Sequence, residues 1–292
     1  MTSRVVHCLP SQAEPALRLA QALSSPREII SVRQFPDGES LVRTSPHEGT
    51  AIVYCSLNNP NGKLIHLLLA ASSLRDGGAG RIVLVAPYMC YMRQDVAFLW
   101  GEAVSQKVIA RLLSEAFDRI LTVDPHLHRT RELSDVFSTQ CDGISAAPLI
   151  GETIAKERNA GHTILIGPDS ESRPWVEAAA GNFPYLVGRK QRLGDREIKI
   201  EIDNLSSVSG KTAIILDDLV SSGATACATT KLLKQSGAAS VEVFAVHALS
   251  SAADLDAMRR AGVSRLQSTD SIIHPTNTLC LAPLLARELM AE

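Results

Sequence analysis

The chain has no C-x-x-C pair and no His/Cys spacing of a metal-binding loop. Its six cysteines (Cys8, Cys55, Cys90, Cys141, Cys227 and Cys280) are scattered, which excludes a disulfide scaffold and points to a reducing compartment. It also lacks an excess of one charge. With 29 Lys and Arg against 31 Asp and Glu, the net charge is −2. No global field draws in nucleic acid or an anionic membrane, so phosphate binding has to be local. Long hydrophobic runs are missing too: the longest, near residues 64–71, is broken by His66 and far short of a membrane span. Residues 1–12 show neither the apolar core nor the cleavage site of a secretory signal, so a cytosolic location is expected. No low-complexity linker divides the chain. What is present, 45% hydrophobic and 21% charged residues with 18 Gly and 14 Pro, is ordinary globular usage. It excludes disorder, collagen and coiled coil, and 292 residues correspond to about two domains.

Short apolar runs alternate with segments of helical period. Residues 51–55 (AIVYC), 81–86 (RIVLVA), 119–123 (RILTV), 163–167 (TILIG), 212–216 (TAIIL) and 241–246 (VEVFAV) have the pattern of buried strands. Residues 63–75, 105–116, 150–159, 224–236 and 253–261 are spaced like amphipathic helices. This alternation predicts an α/β protein with parallel sheets covered on both faces by helices. The run occurs twice, without a clear residue-level repeat. Two tandem domains of similar build are expected, 1–145 and 146–280, with 281–292 a terminal helix packing back on the first. In open α/β sheets, ligands bind at the carboxyl ends of the strands, so the residues that directly follow each strand are the candidates.

The most informative stretch is 211–225, KTAIILDDLVSSGAT. An apolar strand ends in Asp217 and Asp218, and a loop of small residues then opens a helix. Small residues let backbone N–H groups close around a phosphate, and Ser221, Ser222 and Thr225 add hydroxyl donors. Carboxylates just upstream suit sugar hydroxyls or the waters of a bound Mg²⁺. Either element alone reads as an acidic strand end or a capped helix; the whole string favours a phosphorylated-sugar site.

That string resembles the ribose-phosphate motif of the type I phosphoribosyltransferase fold, shared by phosphoribosyltransferases and ribose-phosphate pyrophosphokinases. Further stretches are similar to the pyrophosphokinases. Phe35-Pro36-Asp37-Gly38-Glu39 resembles their F-x-D-G-E segment, which implies adenine binding by Phe35, Asp37 and Glu39, often at the neighbouring subunit's site. The loop from Pro87 to Asp95, PYMCYMRQD, resembles P-Y-x-x-Y-x-R-Q-D, which implies nucleotide contacts from Arg93, Gln94 and Asp95. Gly101–Lys107 matches G-E-x-x-S-x-K, with Ser105 an expected helix cap. Asp124-Pro125-His126 resembles D-L-H, implying His126 at a metal–nucleotide site; His128 has no equivalent support. Asp169 after TILIG is the implied Mg²⁺ carboxylate, and 188–192 (GRKQR) resembles the K-x-R of a mobile catalytic arm, with Lys190 and Arg192 as the catalytic cations.

The resemblance implies two tandem phosphoribosyltransferase-type domains, the first serving ATP and the second ribose 5-phosphate. It also implies transfer of the diphosphoryl group of ATP, with Mg²⁺ as cofactor, and assembly as a homo-oligomeric dimer or hexamer. Neither nucleic acid nor membrane is an expected partner. Two departures mark a divergent member. The family's phosphate loop reads D-x-G-G-T, whereas this chain has Ser221, Ser222, Gly223, Ala224 and Thr225. Where many relatives carry glycines after the Asp, it has Ser170-Glu171-Ser172-Arg173, side chains that restrict the approach of diphosphate or, in the case of Arg173, assist it. A phosphoribosyltransferase consuming phosphoribosyl diphosphate, slightly favoured by Ser221, and a catalytically silent regulatory paralogue are the alternatives.

Overall fold

The structure is a computed structural model that describes residues 3–127, 129, 130, 132–192 and 198–291, with only the backbone of 190–192, 198 and 199. The chain forms two compact units, Met1–Ile144 with Leu281–Glu292, and Ser145–Cys280.

In the first unit, chain order is β1 (Arg4–Cys8), α1 (Ala13–Ala22), β2 (Arg27–Ile29), β3 (Ser31–Gln34), β4 (Ser40–Arg43), β5 (Gly49–Tyr54), α2 (Pro60–Asp76), β6 (Ala79–Ala86), α3 (Ser105–Ala116), β7 (Arg119–Val123) and β8 (Gln140–Ile144). Six strands form a sheet in the order β2-β1-β5-β6-β7-β8, and every pairing in it is parallel. The runs AIVYC, RIVLVA and RILTV are its central strands. β-Branched residues suit strands buried on both faces, and Ile52, Val53, Ile82, Val83, Leu84, Ile120 and Leu121 are all buried. β3 and β4 leave the sheet as an antiparallel hairpin.

The second unit has α4 (Ala147–Glu157), β9 (Thr163–Gly167), α5 (Arg173–Ala180), β10 (Tyr185–Val187), β11 (Arg189–Arg192), β12 (Ile198–Glu201), β13 (Thr212–Val220), α6 (Ala224–Gln235), β14 (Ser240–Ala248), α7 (Ala252–Ala261), β15 (Arg265–Thr269) and β16 (Asn277–Leu279). Its sheet, β10-β9-β13-β14-β15-β16, is again all parallel. β11 and β12 form a separate antiparallel ribbon. Strand for strand, the two units share one topology, with a two-stranded ribbon inserted between the second and third strands of each sheet.

Two expectations need correction. The strand at 212–216 does not stop before Asp217: β13 continues to Val220, with Asp217 paired to Ala245 and Val220 to Ala248 in β14. Ladder hydrogen bonds to a long partner carry the chain past the carboxylates despite their poor strand propensity. Ser105 does not cap α3 but is its first residue; Val104 precedes it without a side-chain cap bond, and the Ser105 hydroxyl donates to Gln94 Oε1 at 3.4 Å instead. Among the described residues, no helix is long and apolar enough to cross a membrane.

The last helix, α8 (Ala282–Met290), belongs to the first unit and packs on α1. Arg119, almost fully buried in β7, ties it down: its Nε donates to Asp142 at 2.6 Å and its Nη2 reaches Glu288 of α8 at 3.4 Å. A buried cation shared by two carboxylates is costly to disturb. Arg119→Met is expected to lower stability by about 1–3 kcal/mol, the lower end because both carboxylates are partly exposed. It should appear as a lower urea midpoint and as faster amide exchange in α8.

Candidate active site

Each sheet contains a point where the chain, having left one strand in one direction, returns on that strand's other side. In the second unit this lies between β9 and β13, and such switch points open a crevice at the carboxyl ends. Register pairs Ile166 with Ile215, so Asp169 beyond β9 and Asp217 and Asp218 within β13 gather at the same end of adjacent strands. Asp169 is half-buried and caps a 3₁₀ turn (Ser170–Ser172), its Oδ1 accepting from the Ser172 N–H at 3.2 Å. Arg173 pairs with Glu177 one helical turn along α5 at 3.6 Å.

Beyond β13, Ser221, Ser222 and Gly223 lead into α6. Gly223 has φ +71°, which favours glycine, and a Cβ there would also have to displace the Met258 side chain, whose Sδ lies 2.7 Å away. Ala224 is the first residue of α6, and the left-handed position falls on Gly223. The alanine at the position of the motif's second glycine is therefore unstrained. The loop thus sets its backbone N–H groups, Ser221, Ser222 and the start of α6 with Thr225 directly after β13, at the sheet end that also carries Asp169, Asp217 and Asp218.

The β11–β12 ribbon is rooted at the same sheet end. The Gly188 N–H donates to Gly167 O at 2.8 Å, and a Cβ on Gly188 would sit 2.8 Å from the Pro168 carbonyl. Only glycine lets the chain pass so close to Pro168 and Asp169. Arg189 forms a two-pronged pair with Asp203 at 2.9 and 3.0 Å. Lys190 and Arg192 stand in β11 opposite Ile200 and Ile198; their side chains lie outside what the structure describes.

In the first unit, Phe35, Asp37 and Glu39 form the tip of the β3–β4 hairpin. The Phe35 N–H donates to Glu39 O at 2.7 Å, the Gly38 N–H to Phe35 O at 3.0 Å, and Asp37 Oδ1 accepts from the Glu39 N–H at 3.1 Å. The Arg33 guanidinium lies 5.4 Å from the centre of the Phe35 ring, and Phe35 borders an open groove of about 490 Å³ with Leu41, Leu69 and Asp76.

Arg93, Gln94 and Asp95 follow β6. Arg93 is exposed, leaving its guanidinium fork to solvent, whereas Gln94 and Asp95 shape the loops. Glu102 accepts from Gln94 Nε2 at 3.4 Å and from the Phe98 N–H at 2.8 Å. Asp95 accepts from the Arg129 N–H and from its Nη1, both at 3.0 Å. This joins the loop after β6 to the loop after β7 that carries His126. Arg129 is a residue the motifs did not flag. Tyr91 (φ +59°) and Asp124 (φ +36°) hold left-handed backbone in these two loops, strain of the kind that gathers at functional sites.

The first unit's own switch point, between β1 and β5, is filled from within. Gln12 Oε1 accepts from the Ser56 N–H at 3.1 Å, and Lys63 Nζ donates to Ser56 O at 2.7 Å and Asn58 Oδ1 at 2.8 Å. Burial, ahead of any charge effect, lowers the Lys63 pKa and pushes the Cys55 and Cys90 thiols up to about 12. Neither thiol is poised as a nucleophile. Among the described residues, no cluster of three or more His, Cys, Asp or Glu could hold a metal by itself. The carboxylates at the β9–β13 switch point suit a hard cation that takes few protein oxygens and finishes its shell on water and substrate phosphate.

Comparison with known proteins agrees with this division of the chain. Residues 5–116 match the family model for the N-terminal domain of ribose phosphate pyrophosphokinase, and residues 144–278 match that for the phosphoribosyl transferase domain. The ribose-phosphate pyrophosphokinase of Methanopyrus kandleri is 30% identical over 92% of this chain and 92% of its own. The chain belongs to the ribose-phosphate pyrophosphokinase family. The Methanothermobacter thermautotrophicus pyrophosphokinase is 32% identical over 97% of this chain and 98% of its own. The crystal structure of phosphoribosylpyrophosphate synthetase from Mycobacterium smegmatis superposes with a TM-score of 0.84 at 27% identity, covering 99% of this chain and 98% of that one. The expected α/β class and tandem phosphoribosyltransferase-type build are thereby met. Ser221 at the loop's first position and the Asp169-capped turn at Ser170–Ser172 stand where the chain departs from the motifs it resembles.

The Asp95–Arg129 tie has a calculable pH signature. Burial works to raise the Asp95 pKa, but the hydrogen bonds and charge of Arg129 outweigh it and hold the carboxyl below the usual carboxylate range. A carboxylate with a lowered native pKa stabilises the fold fully above its unfolded value and loses that contribution as pH falls through the native one. The stability gap between wild type and Arg129→Ala, followed by urea unfolding from neutral to acidic pH, should therefore close at the acidic end.

Proposed function

We propose that the chain transfers the diphosphoryl group of ATP to the anomeric hydroxyl of ribose 5-phosphate, giving 5-phosphoribosyl 1-diphosphate and AMP for nucleotide biosynthesis. The observation that carries this reading is the meeting of Asp169, Asp217, Asp218 and the Ser221–Thr225 loop at one switch point. An anion cradle beside a row of carboxylates is what a phosphorylated sugar with free hydroxyls requires.

In this reading the 5-phosphate sits on Ser221, Ser222, Gly223, Ala224 and Thr225, while Asp217 and Asp218 accept from ring hydroxyls. Phe35 stacks on the adenine, with Asp37 and Glu39 accepting from its exocyclic amine, as in the hairpin segment the family shares. Arg93 faces phosphate with a fixed fork of donors, and Gln94, Asp95 and His126 complete the nucleotide side. Asp169 on the sugar-phosphate side and His126 on the nucleotide side are the residues the resemblance implies for Mg²⁺, which would supply charge neutralisation on the phosphate oxygens; a sparse protein donor set fits an ion that keeps most of its waters. The anomeric oxygen attacks the β-phosphorus in line, its proton passing to solvent, and the bond from the β-phosphorus to the bridging oxygen breaks, that oxygen leaving with its electron pair on AMP. Lys190 and Arg192 place cations over the charge that develops there. Positioning and neutralisation provide the rate, without a covalent enzyme intermediate. Assembly as a dimer or hexamer belongs to the same reading.

Incubation of the pure protein with ATP, Mg²⁺ and ribose 5-phosphate is expected to yield AMP and phosphoribosyl diphosphate together. A phosphoribosyltransferase would instead consume added phosphoribosyl diphosphate, and a silent paralogue would bind ATP without turnover; either result sinks the proposal. Lys190→Ala should lower kcat by roughly 100-fold or more while ribose 5-phosphate binding, read by calorimetry, stays near wild type.

A further inference from the structure

From the carbonyl of Ser221 in the loop runs a line of polar groups that no part of the proposed reaction uses. Ser250, buried just past β14, donates from Oγ to Ser221 O at 2.8 Å, with the Val220 carbonyl a longer second acceptor at 3.3 Å. Its own carbonyl lies 2.8 Å from His274 Nε2. On the other side of the ring, His274 Nδ1 lies 2.7 Å from Thr276 Oγ1. Thr276 Oγ1 is in turn 2.8 Å from Ser268 Oγ, which accepts from Asn277 Nδ2 at 3.0 Å.

The chemistry of the groups fixes the protons from Asn277 to His274. A carbonyl only accepts, so Nε2 carries the hydrogen. The Thr276 N–H, 3.3 Å from Nδ1, only donates, so Nδ1 is bare. Thr276 then donates to Nδ1, and Ser268, already accepting from Asn277, donates to Thr276. The result is a one-way chain, Asn277 to Ser268 to Thr276 to His274 to Ser250, that ends on the Ser221 carbonyl. Because the peptide unit is planar and trans, pinning that carbonyl on one side turns the Ser222 N–H to the other, the direction it needs if it is to donate to a phosphate on the loop.

We propose that His274 is a positioning residue for the sugar-phosphate loop, acting through Ser250 to fix the 221–222 peptide plane. This rests on the loop being the site of the 5-phosphate. Loss of one such hydrogen bond is worth about a tenfold change in affinity. His274→Phe keeps a ring and removes the donor. It should raise the KM for ribose 5-phosphate about tenfold, with the KM for ATP changed by less than about twofold. His274→Gln, which retains an N–H able to reach the Ser250 carbonyl, should recover most of the loss. Ser250→Ala should reproduce it, and the double variant Ser250→Ala/His274→Phe should be no worse than either single one, as members of one chain require. Multiplying effects, an equal rise in both KM values, or an unchanged ribose 5-phosphate KM in both single variants would overturn the proposal. Thr225→Val serves as the control on the site itself. If it leaves ribose 5-phosphate binding intact, the loop assignment falls; if it weakens binding while the His274 and Ser250 variants do not, only the positioning role falls.

Discussion

Where adjacent parallel strands send their connections off in opposite directions, those connections do not cover the carboxyl ends between them. At the β9–β13 junction this constraint governs the site. The turn after β9 brings Asp169 to the opening, the extra length of β13 brings Asp217 and Asp218, and the path into α6 is forced through the left-handed Gly223 packed on Met258. Close packing of Gly188 on Pro168 then attaches the ribbon bearing Lys190 and Arg192 to the same edge. The carboxylates, hydroxyls and backbone donors owe their proximity to sheet topology, since they come from segments about fifty residues apart in the chain.

The parts legible in the sequence were those with a strong local signal. Strands such as 119–123 and 163–167 and helices such as 105–116 and 282–290 stand where periodicity put them, because a strand buried on both faces has to be continuously apolar. Edge strands β2, β10 and β16, only three residues each, carry too little pattern to read. β1 was obscured by a buried His7 next to its end, and α5 by a proline and only eight residues. The reading of Asp217 as a strand end failed because pairing to β14 is a property of the partner, invisible to local propensity.

Among site residues, those within a contiguous motif were nameable, whereas those acting through tertiary contact were not. Arg129 matters because Asp95, thirty-four positions earlier, folds against it. Ser250 and His274 matter because two loops twenty-four residues apart meet. Neither has a spacing that could betray it. Glu102 and Ser105 show the reverse: their motif was recognisable, but their work is to hold the loop of Gln94 and Phe98 in shape.

The common strand order of the two units is the imprint that doubling of one ancestral half would leave, and it makes the hairpin of Phe35 and the ribbon of Lys190 counterparts. Redundancy of that sort frees each copy to specialise. One has let Gln12 and Lys63 plug its original opening and turned its inserted strands into an outward-facing tip; the other has kept the opening and put cations on the corresponding strands. A recombinant exchanging the two insertions would thus move distinct tasks between equivalent sockets, rather than graft foreign loops onto an unrelated scaffold.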